Sequence, residues 1–364
     1  MIDLPNSNQL DIVSFSQIFH RQGLTNSYKL FFFKALFDSI QQRKLSVSFS
    51  SLSDFMFMEA LPLIHVYKLT LGHQDLIEKK VKEFNLSSKY SSHQALQRIN
   101  GMPSNEKTSI VTSYVMYRLL RPFYKTQSFS GNDQNINNQL LNLINRDKKS
   151  LYYIDVHHQT ININPLWAEY IIQHSKLILE WYKFNLIVFL QTRNPSTPNI
   201  PFKVDSSLVS RSLAAQTKVW DFARMHNHSL AFDIYLNQEI TPSSVITHGT
   251  LSLDHVIPFD FVMHNELWNL TPMHKNLNSE KSNHLPQLTH VERFVDLQYS
   301  FYKTVQTFHP FSNNKHPLQD YEYLNPLLHH SNYDVHFDDF SKILTNQIIS
   351  LHTIAFNQGF NMWK

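Results

Sequence analysis

The chain has no cysteine among its 364 residues, which limits how any small unit within it can be held together. Neither a disulfide nor a thiolate zinc site can form, so a metal must be bound through oxygen atoms or imidazole nitrogens. The 42% of apolar residues is enough for a sizeable core in a chain of this length. We therefore expect a globular protein stabilised mainly by packing.

The sequence lacks the signals of a leader peptide and of a membrane span. Residues 1–10 carry no basic cluster followed by an apolar stretch. The longest nearly unbroken apolar run, residues 184–190, contains Asn185 and falls far short of the ~18 residues that a spanning helix needs. We expect a cytoplasmic protein without membrane attachment.

The charge is unevenly distributed along the chain. Residues 1–150 contain 18 Lys and Arg against 11 Asp and Glu, whereas residues 151–364 contain 14 against 18. A basic half suits contact with phosphates, because Lys and Arg displace counterions from nucleic acid. A surplus this small is equally compatible with an ordinary solvated surface, so the charge alone does not decide between the two.

Apolar periodicity predicts a mainly helical chain. Apolar side chains return every three or four residues in 27–45 and 52–84, which predicts two helices. The polar stretch 126–139 has no period and predicts a long loop, with a domain boundary near 126–150.

The second half mixes strands with helices. The predicted strands are Leu151–Val156, Leu230–Tyr235 and Thr250–His255, and the predicted helices are Leu166–Leu190, opened by Pro165, and Ser207–Met225. Three prolines in 193–203 predict an extended loop, and residues 291–364 are predicted to be mainly helical. The fold class is therefore α+β, mainly α.

The segment 251–286 carries the most chemistry. Its polar positions are, in order, Asp254, His255, Asn269, Asn278 and Lys281. Asp254 and His255 end an apolar-alternating strand, and Asn269 is flanked by apolar residues on the next strand. Asn278 and Lys281 lie on one face of the short helix that follows, because they are three residues apart.

This order of residues resembles the HNH endonuclease family. The family pattern is a strand ending in Asp-His-apolar-apolar-Pro, an Asn on a second strand, and a short helix bearing an Asn or His and then a Lys. Pro258 and Pro286 fit it as well. The spacing is similar to that of the HNH domain of RNA-guided CRISPR effector nucleases. The resemblance covers about a tenth of the chain and implies a ββα-metal module that hydrolyses DNA.

The chemistry of phosphodiester hydrolysis assigns expected roles to these residues. Asp254 and the side-chain carbonyl of Asn278 are hard oxygen ligands suited to Mg²⁺, with Mn²⁺ as the other candidate. His255 can take a proton from water near neutral pH and is the expected general base. We expect Asn269 to orient the turn that presents His255, and Lys281 to approach a phosphate beside the metal.

Two features qualify this expectation. In a regular strand Asp254 and His255 point to opposite faces, so they can share one site only if the backbone leaves strand geometry there. Many HNH proteins also hold their strands with Cys-x-x-Cys zinc sites, which this chain lacks. We therefore expect packing against flanking helices to support the module, and Asn278 in place of a His favours Mg²⁺ over Zn²⁺.

Other residues are weaker candidates. His274, Lys275 and Arg193 are candidate nucleic-acid contacts, although a surface imidazole is the more ordinary interpretation of His274 and a connector is an equally ordinary one of the Arg193 loop. The adjacent pairs His157–His158 and His329–His330 lack the spacing that places two imidazoles on one helical face, and we interpret them as incidental.

The sequence thus predicts a small HNH ββα-metal module at 228–288 between helical regions: an N-terminal region at 1–150 for DNA or partner binding, a connector at 151–227 and a C-terminal region at 289–364. The expected function is endonucleolytic cleavage of DNA, in phage defence or as the nuclease subunit of a nucleic-acid-guided complex with other proteins or a guide RNA. The alternatives are an RNA or single-strand nuclease and a non-catalytic nucleic-acid-binding subunit that keeps the HNH fold.

Overall fold

The computed structural model describes residues 3–84, 86, 91–309 and 316–363. The chain forms two compact units, residues 1–195 and 196–364. Helices dominate both, and the sheets have two or three strands, so the predicted α+β, mainly α, class is confirmed. The four-part division at 150, 227 and 288 stays a prediction. No helix among the described residues is both long enough and apolar enough to cross a bilayer.

The described part of unit 1 contains ten α-helices and a three-stranded antiparallel sheet in the order β1-β3-β2. The strands are β1 (Ser46–Ser48), β2 (Tyr152–Asp155) and β3 (Thr160–Ile163). The helices are α1 (Ile12–Ser16), α2 (Tyr28–Gln41), α3 (Phe49–His65), α4 (Leu76–Glu83), α5 (Ser92–Asn100), α6 (Ser104–Ile110), α7 (Met116–Arg118), α8 (Asp133–Arg146), α9 (Pro165–Gln173) and α10 (Ser175–Arg193).

Unit 2 contains the segment with the candidate chemistry. Its helices are α11 (Ile200–Val204), α12 (Ala214–His226), α13 (Pro242–His248), α14 (Phe259–Val262), α15 (Lys275–Lys281), α16 (Val291–Phe308), α17 (Gln319–Glu322) and α18 (Phe337–Gln358). Its strands form two antiparallel pairs, β4 (Phe232–Asp233) with β5 (Gln238–Glu239), and β6 (Leu251–His255) with β7 (Leu270–His274).

One apolar core joins the β6–β7 pair to the surrounding helices of unit 2. Ile257 and Leu270 are fully buried in the same cluster as side chains of α12, α16 and α18. Trp220 of α12 stacks on Phe301 of α16 with ring centroids 4.0 Å apart. The small module is therefore supported by packing against its flanking helices, as the absence of cysteine requires.

The structure corrects several predicted boundaries. The helix predicted over 52–84 is two helices, because the chain turns at Gly72 (φ 118°) and Asp75 starts α4 by accepting hydrogen bonds from Ile77 N and Glu78 N. The helix predicted over 166–190 breaks at His174. The loop predicted at 126–139 is shorter, because Asn132 caps α8 within it.

Smaller corrections concern the region before the module. The extended loop predicted at 193–203 contains the start of α11, with Pro201 in its first turn. The helix predicted from Ser207 becomes α-helical only at Ala214. The predicted strands at 151–156 and 250–255 are confirmed as β2 and β6, whereas that at 230–235 is reduced to the two residues of β4.

Candidate metal-dependent nuclease site

The site is built on the β6–β7 pair and the helix that follows it. Asp254 pairs with Thr271 and His255 with Leu270, in unbroken antiparallel register. Helix α15 begins directly after β7 and lies against β6, because Asn278 Nδ2 donates to Leu253 O (2.9 Å) and Ser252 Oγ (3.1 Å). This strand-strand-helix arrangement brings residues from both ends of the 251–286 segment together.

Asp254 and His255 reach one cavity without a break inside the strand. The register continues through His255, and the chain leaves strand geometry only at the next residue. A cavity of about 350 Å³ lies at this strand end and is lined by both side chains and by Asn278. The expectation that the strand must break at the pair is therefore wrong, because both side chains line the cavity from a regular strand.

The Asp254 carboxylate is buried and held by two donors. Tyr235 Oη donates to Oδ2 at 2.7 Å, and Lys281 Nζ lies 3.1 Å from Oδ1 and 3.0 Å from Oδ2. Among the described residues, Lys281 is the one donor to Oδ1, which keeps a lone pair for a further ligand. Fixed in this way, the carboxylate needs little reorganisation to bind a cation.

Lys281 occupies a different place from the one expected. Its side chain is fully buried, and Nζ donates to His255 O at 2.8 Å as well as to Asp254. An ammonium in this position cannot reach a phosphate in solution. The structure therefore replaces the expected phosphate contact with a positioning contact beneath Asp254 and His255.

The ring of His255 is oriented by Asn265. His255 Nε2 lies 3.0 Å from Asn265 Oδ1, while Asn265 Nδ2 donates to Ser210 O (2.8 Å) and Ser212 O (3.1 Å). Because the amide must present its oxygen to the ring, the hydrogen-bond network assigns the ring proton to Nε2 and the lone pair to Nδ1. Burial lowers the pKa of His255 below its usual value, against the opposing effect of Asp254. The ring is therefore neutral at neutral pH, as a general base must be.

Asn269 holds the turn after His255 with both ends of its side chain. Oδ1 accepts from Ile257 N and Nδ2 donates to Ile257 O, each at 2.9 Å. Its own carbonyl oxygen accepts from Val256 N at 2.9 Å. The side chain is fully buried and touches the turn rather than the cavity, so its contacts are those of a positioning residue.

The donor atoms at the cavity fit a hard divalent cation. Asn278 donates with Nδ2 to the strand, and its Oδ1 accepts no hydrogen bond from residues that the structure describes. One carboxylate oxygen of Asp254 and one amide oxygen of Asn278 are thus available at the same cavity. Mg²⁺ prefers such oxygen ligands and keeps several water molecules, for which the cavity has room.

His274 differs most from its expected role. It is fully buried, with Nδ1 2.7 Å from Asp233 Oδ2 and Nε2 2.9 Å from Ser244 Oγ. A nucleic acid cannot contact an imidazole without exposed surface. The expected substrate contact is therefore corrected to a structural one, which fastens the start of α15 to β4.

Asp233 is the centre of that contact. Its fully buried carboxylate accepts from Tyr235 N (3.0 Å), Leu236 N (3.2 Å) and His274 N (3.0 Å), besides the His274 ring. It thus ties the β4 turn to the end of β7. The sequence analysis did not identify this carboxylate, which together with packing holds the metal module.

The remaining expected contacts lie apart from the cavity lining. Lys275 is exposed at the start of α15. Arg193 belongs to unit 1, where Nη2 donates to Leu24 O and Thr25 O and the guanidinium lies 3.7 Å from the Phe189 ring centroid. Its contacts there account for its position without a nucleic acid.

Sequence reasoning missed three residues at this site. Tyr235 and Asn265 hold the two key side chains, and Arg211, with a side chain 67% exposed, lines the cavity. Arg211 donates to Asp260 Oδ1 at 2.8 Å and lies over the Phe259 ring. None of the three stands at a spacing that a motif describes, so only the fold brings them to the cavity.

Comparison with known proteins agrees with this geometry. The family model for HNH endonucleases matches residues 233–287, from the buried Asp233 to the residue after Pro286. No curated protein and no solved structure matches the chain. The match begins at Asp233, the last residue of β4, and covers β5, the β6–β7 pair and α15, which carry the site. Residues 233–287 therefore belong to the HNH endonuclease family, and the chain carries an HNH nuclease module.

Proposed function

We propose that this protein is an Mg²⁺-dependent endonuclease that hydrolyses DNA phosphodiester bonds, with Mn²⁺ as a substitute ion. The observation that supports this most directly is that Asp254, His255 and Asn278 line one cavity, and each is held by hydrogen bonds to other residues of unit 2. Preorganised side chains of this kind are what catalysis of hydrolysis requires, since they need not reorganise as charge develops.

The roles follow from the atoms that face the cavity. A divalent cation bound by Asp254 and Asn278 would neutralise charge on the phosphoryl oxygens. His255 accepts a proton from the attacking water at Nδ1, because its Nε2 proton is engaged by Asn265. Asn269 and Lys281 position this pair from beneath, through the Ile257 amide group and the His255 carbonyl oxygen.

Substrate contact is assigned to two cations of unit 2 that are not buried. Arg211 at the cavity and Lys275 at the start of α15 can each approach a phosphate, since neither side chain is buried. Duplex DNA as substrate, and a setting in phage defence or a nucleic-acid-guided complex, rest on the resemblance of residues 251–286 to HNH nucleases of those systems.

The test is cleavage of supercoiled plasmid by purified full-length protein with Mg²⁺, beside His255→Ala and the control His228→Ala. His228 is an exposed imidazole of the same unit outside the cavity lining. We expect wild type and His228→Ala to nick or linearise plasmid, and His255→Ala to lose about 10²- to 10⁴-fold in rate. Undiminished cleavage by His255→Ala would refute the assigned general base.

Parallel reactions with single-stranded DNA and with RNA distinguish the alternatives. Faster cleavage of either one than of duplex DNA would overturn the proposed substrate while keeping the catalytic site. A wild-type protein that binds DNA yet cleaves none of the three, with Mg²⁺ or Mn²⁺, would instead indicate a binding subunit that keeps the HNH fold.

A further inference from the structure

A second cluster of metal-binding side chains lies in unit 2, outside the cavity of the HNH module. Glu322 Oε1 is 2.8 Å from His330 Nδ1 and 3.3 Å from His329 Nε2. One potential ligand atom from each of the three residues lies within 4.8 Å of the other two. Adjacent histidines in the sequence are thus joined by a carboxylate from α17, which their spacing alone could not show.

The turn that carries the two histidines is fixed by buried side chains of α16. Tyr302 Oη donates to Leu328 O (3.1 Å) and His329 O (3.2 Å). Gln306 Nε2 donates to His330 O and Asn332 O, each at 2.9 Å. Because Tyr302 and Gln306 are at most 1% exposed, the backbone that presents the imidazoles is anchored in the core.

The carboxylate is anchored from the same helix. Glu322 follows Tyr321, whose fully buried ring lies 5.3 Å from the Tyr302 ring and whose hydroxyl donates to Gln298 Oε1. The segments that carry the three side chains are therefore both attached to α16. Little conformational freedom of the backbone would be lost when they bind one ion. Preorganisation of this kind strengthens binding.

The donor set differs in kind from the one in the HNH cavity. Two imidazole nitrogens and one carboxylate oxygen are ligands that Zn²⁺ accepts in tetrahedral sites, with water as the fourth ligand. Mg²⁺ disfavours such nitrogen ligands. The His329 side chain is 45% exposed, so an ion can enter from solvent. His329 Nδ1 lies 2.6 Å from Ser331 Oγ and accepts from Ser331 N at 3.2 Å, and these contacts hold the ring with Nε2 3.3 Å from Glu322 Oε1.

We propose that Glu322, His329 and His330 form a Zn²⁺-class metal site that fastens α17 to the 326–332 turn. A bound ion would tie together two short segments that lie far from the HNH motif in sequence. The proposal is independent of whether the HNH cavity is catalytically active.

The experiment titrates full-length protein with Zn²⁺ in the presence of excess Mg²⁺, which competes with Zn²⁺ for the oxygen-ligand cavity. Bound zinc per chain and the midpoint of thermal unfolding are measured for wild type, His329→Ala, His330→Ala, Glu322→Gln and the control His228→Ala. We expect wild type and His228→Ala to bind one zinc ion more than the three site variants. The unfolding midpoint of wild type and of His228→Ala should rise by about 5 °C or more when the free Zn²⁺ concentration is 100 times the dissociation constant. Equal zinc content and equal midpoint shifts in all five proteins would overturn the proposal.

A second measurement needs no variant. Wild-type protein is treated with diethyl pyrocarbonate, and modified histidines are located by mass spectrometry with Zn²⁺, with Mg²⁺ or with neither. We expect Zn²⁺, but not Mg²⁺, to protect His329 and His330 from modification. His228 should be modified equally under all three conditions. Equal modification of His329 and His330 with and without Zn²⁺ would contradict the site even if a variant failed to fold.

Discussion

Asn265 Oδ1 lies 3.0 Å from His255 Nε2, and this contact determines which nitrogen of the histidine can accept a proton. The Asn265 side-chain amide cannot flip by 180° without losing its hydrogen bonds to Ser210 O and Ser212 O. A loop residue ten positions after the expected general base therefore selects its tautomer. Such outer contacts are a general means of orienting catalytic histidines.

Replacing Asn265 by alanine should lower kcat for plasmid cleavage by about 10- to 100-fold with little change in KM. The ring loses its orienting acceptor, while residues that contact substrate are unchanged. The sharper measurement is a double-mutant cycle. Because Asn265 acts through His255, adding Asn265→Ala to His255→Ala should not lower kcat further. Losses that multiply in the double variant would show that Asn265 acts by another route.

Tyr235→Phe should raise the Mg²⁺ concentration needed for half-maximal cleavage by about 10-fold. The substitution removes only the hydroxyl that donates to Asp254 Oδ2 at 2.7 Å, and the carboxylate then has one positioning donor fewer. Activity is measured against Mg²⁺ concentration. Tyr323→Phe is the matched control, because Tyr323 is 71% exposed in the same unit. An unchanged Mg²⁺ dependence would mean that Lys281 alone fixes Asp254.

Asp233→Asn should destabilise unit 2 by about 3 kcal/mol, since it breaks a fully buried pair and turns an amide donor toward backbone N–H groups. Urea unfolding measures the loss of stability, and hydrogen exchange of wild type and variant shows which segments lose protection. Exchange should accelerate first in β4 and at the start of α15, which Asp233 joins. The exposed Asp338→Asn is the control. Unchanged protection in both segments would assign the support of the module to packing alone.

Local sequence patterns predicted the module because its signals are local. Asp254 and His255 end one strand, Asn278 and Lys281 share a helix face, and the structure has these elements where the pattern places them. The burial of Lys281 and His274 could not be predicted, since it depends on partners 27 and 41 residues away. Residue type and spacing suggest candidate ligands for such a site, but they do not show which cations face solvent.

The helix boundaries show the same limit. Periodicity predicted one helix over 52–84, but Asp75 accepts from Ser27 N and Oγ at 2.8 and 2.7 Å, a contact across 48 residues that fixes the start of α4. Apolar spacing contains no information about such a contact. The roles of Tyr235 and Asn265 could not be predicted for the same reason. Each contacts its partner only in the folded structure, after the strands pair.

Glu266 makes the stability of unit 2 depend on pH. Burial raises the pKa of its carboxyl from 4.5 to about 7, with nearby Asp320 acting in the same direction and the hydrogen bond from Trp268 Nε1 opposing it. Between these two values the folded protein holds a proton that the unfolded chain releases. The stabilisation is therefore complete below about pH 4.5 and is lost as the pH rises through about 7.

Glu266→Gln tests this because glutamine keeps an oxygen acceptor for Trp268 but cannot ionise. The variant should gain stability over wild type as the pH rises from about 4.5 to about 7, and the difference should then level off. Urea unfolding across that range measures the difference. Glu239→Gln, at an exposed position of β5, is the control. Its stability relative to wild type should not rise in this way across the same pH range. A constant difference for Glu266→Gln would show that the carboxyl ionises alike in both states, and that the exposed 31% of the side chain keeps it hydrated.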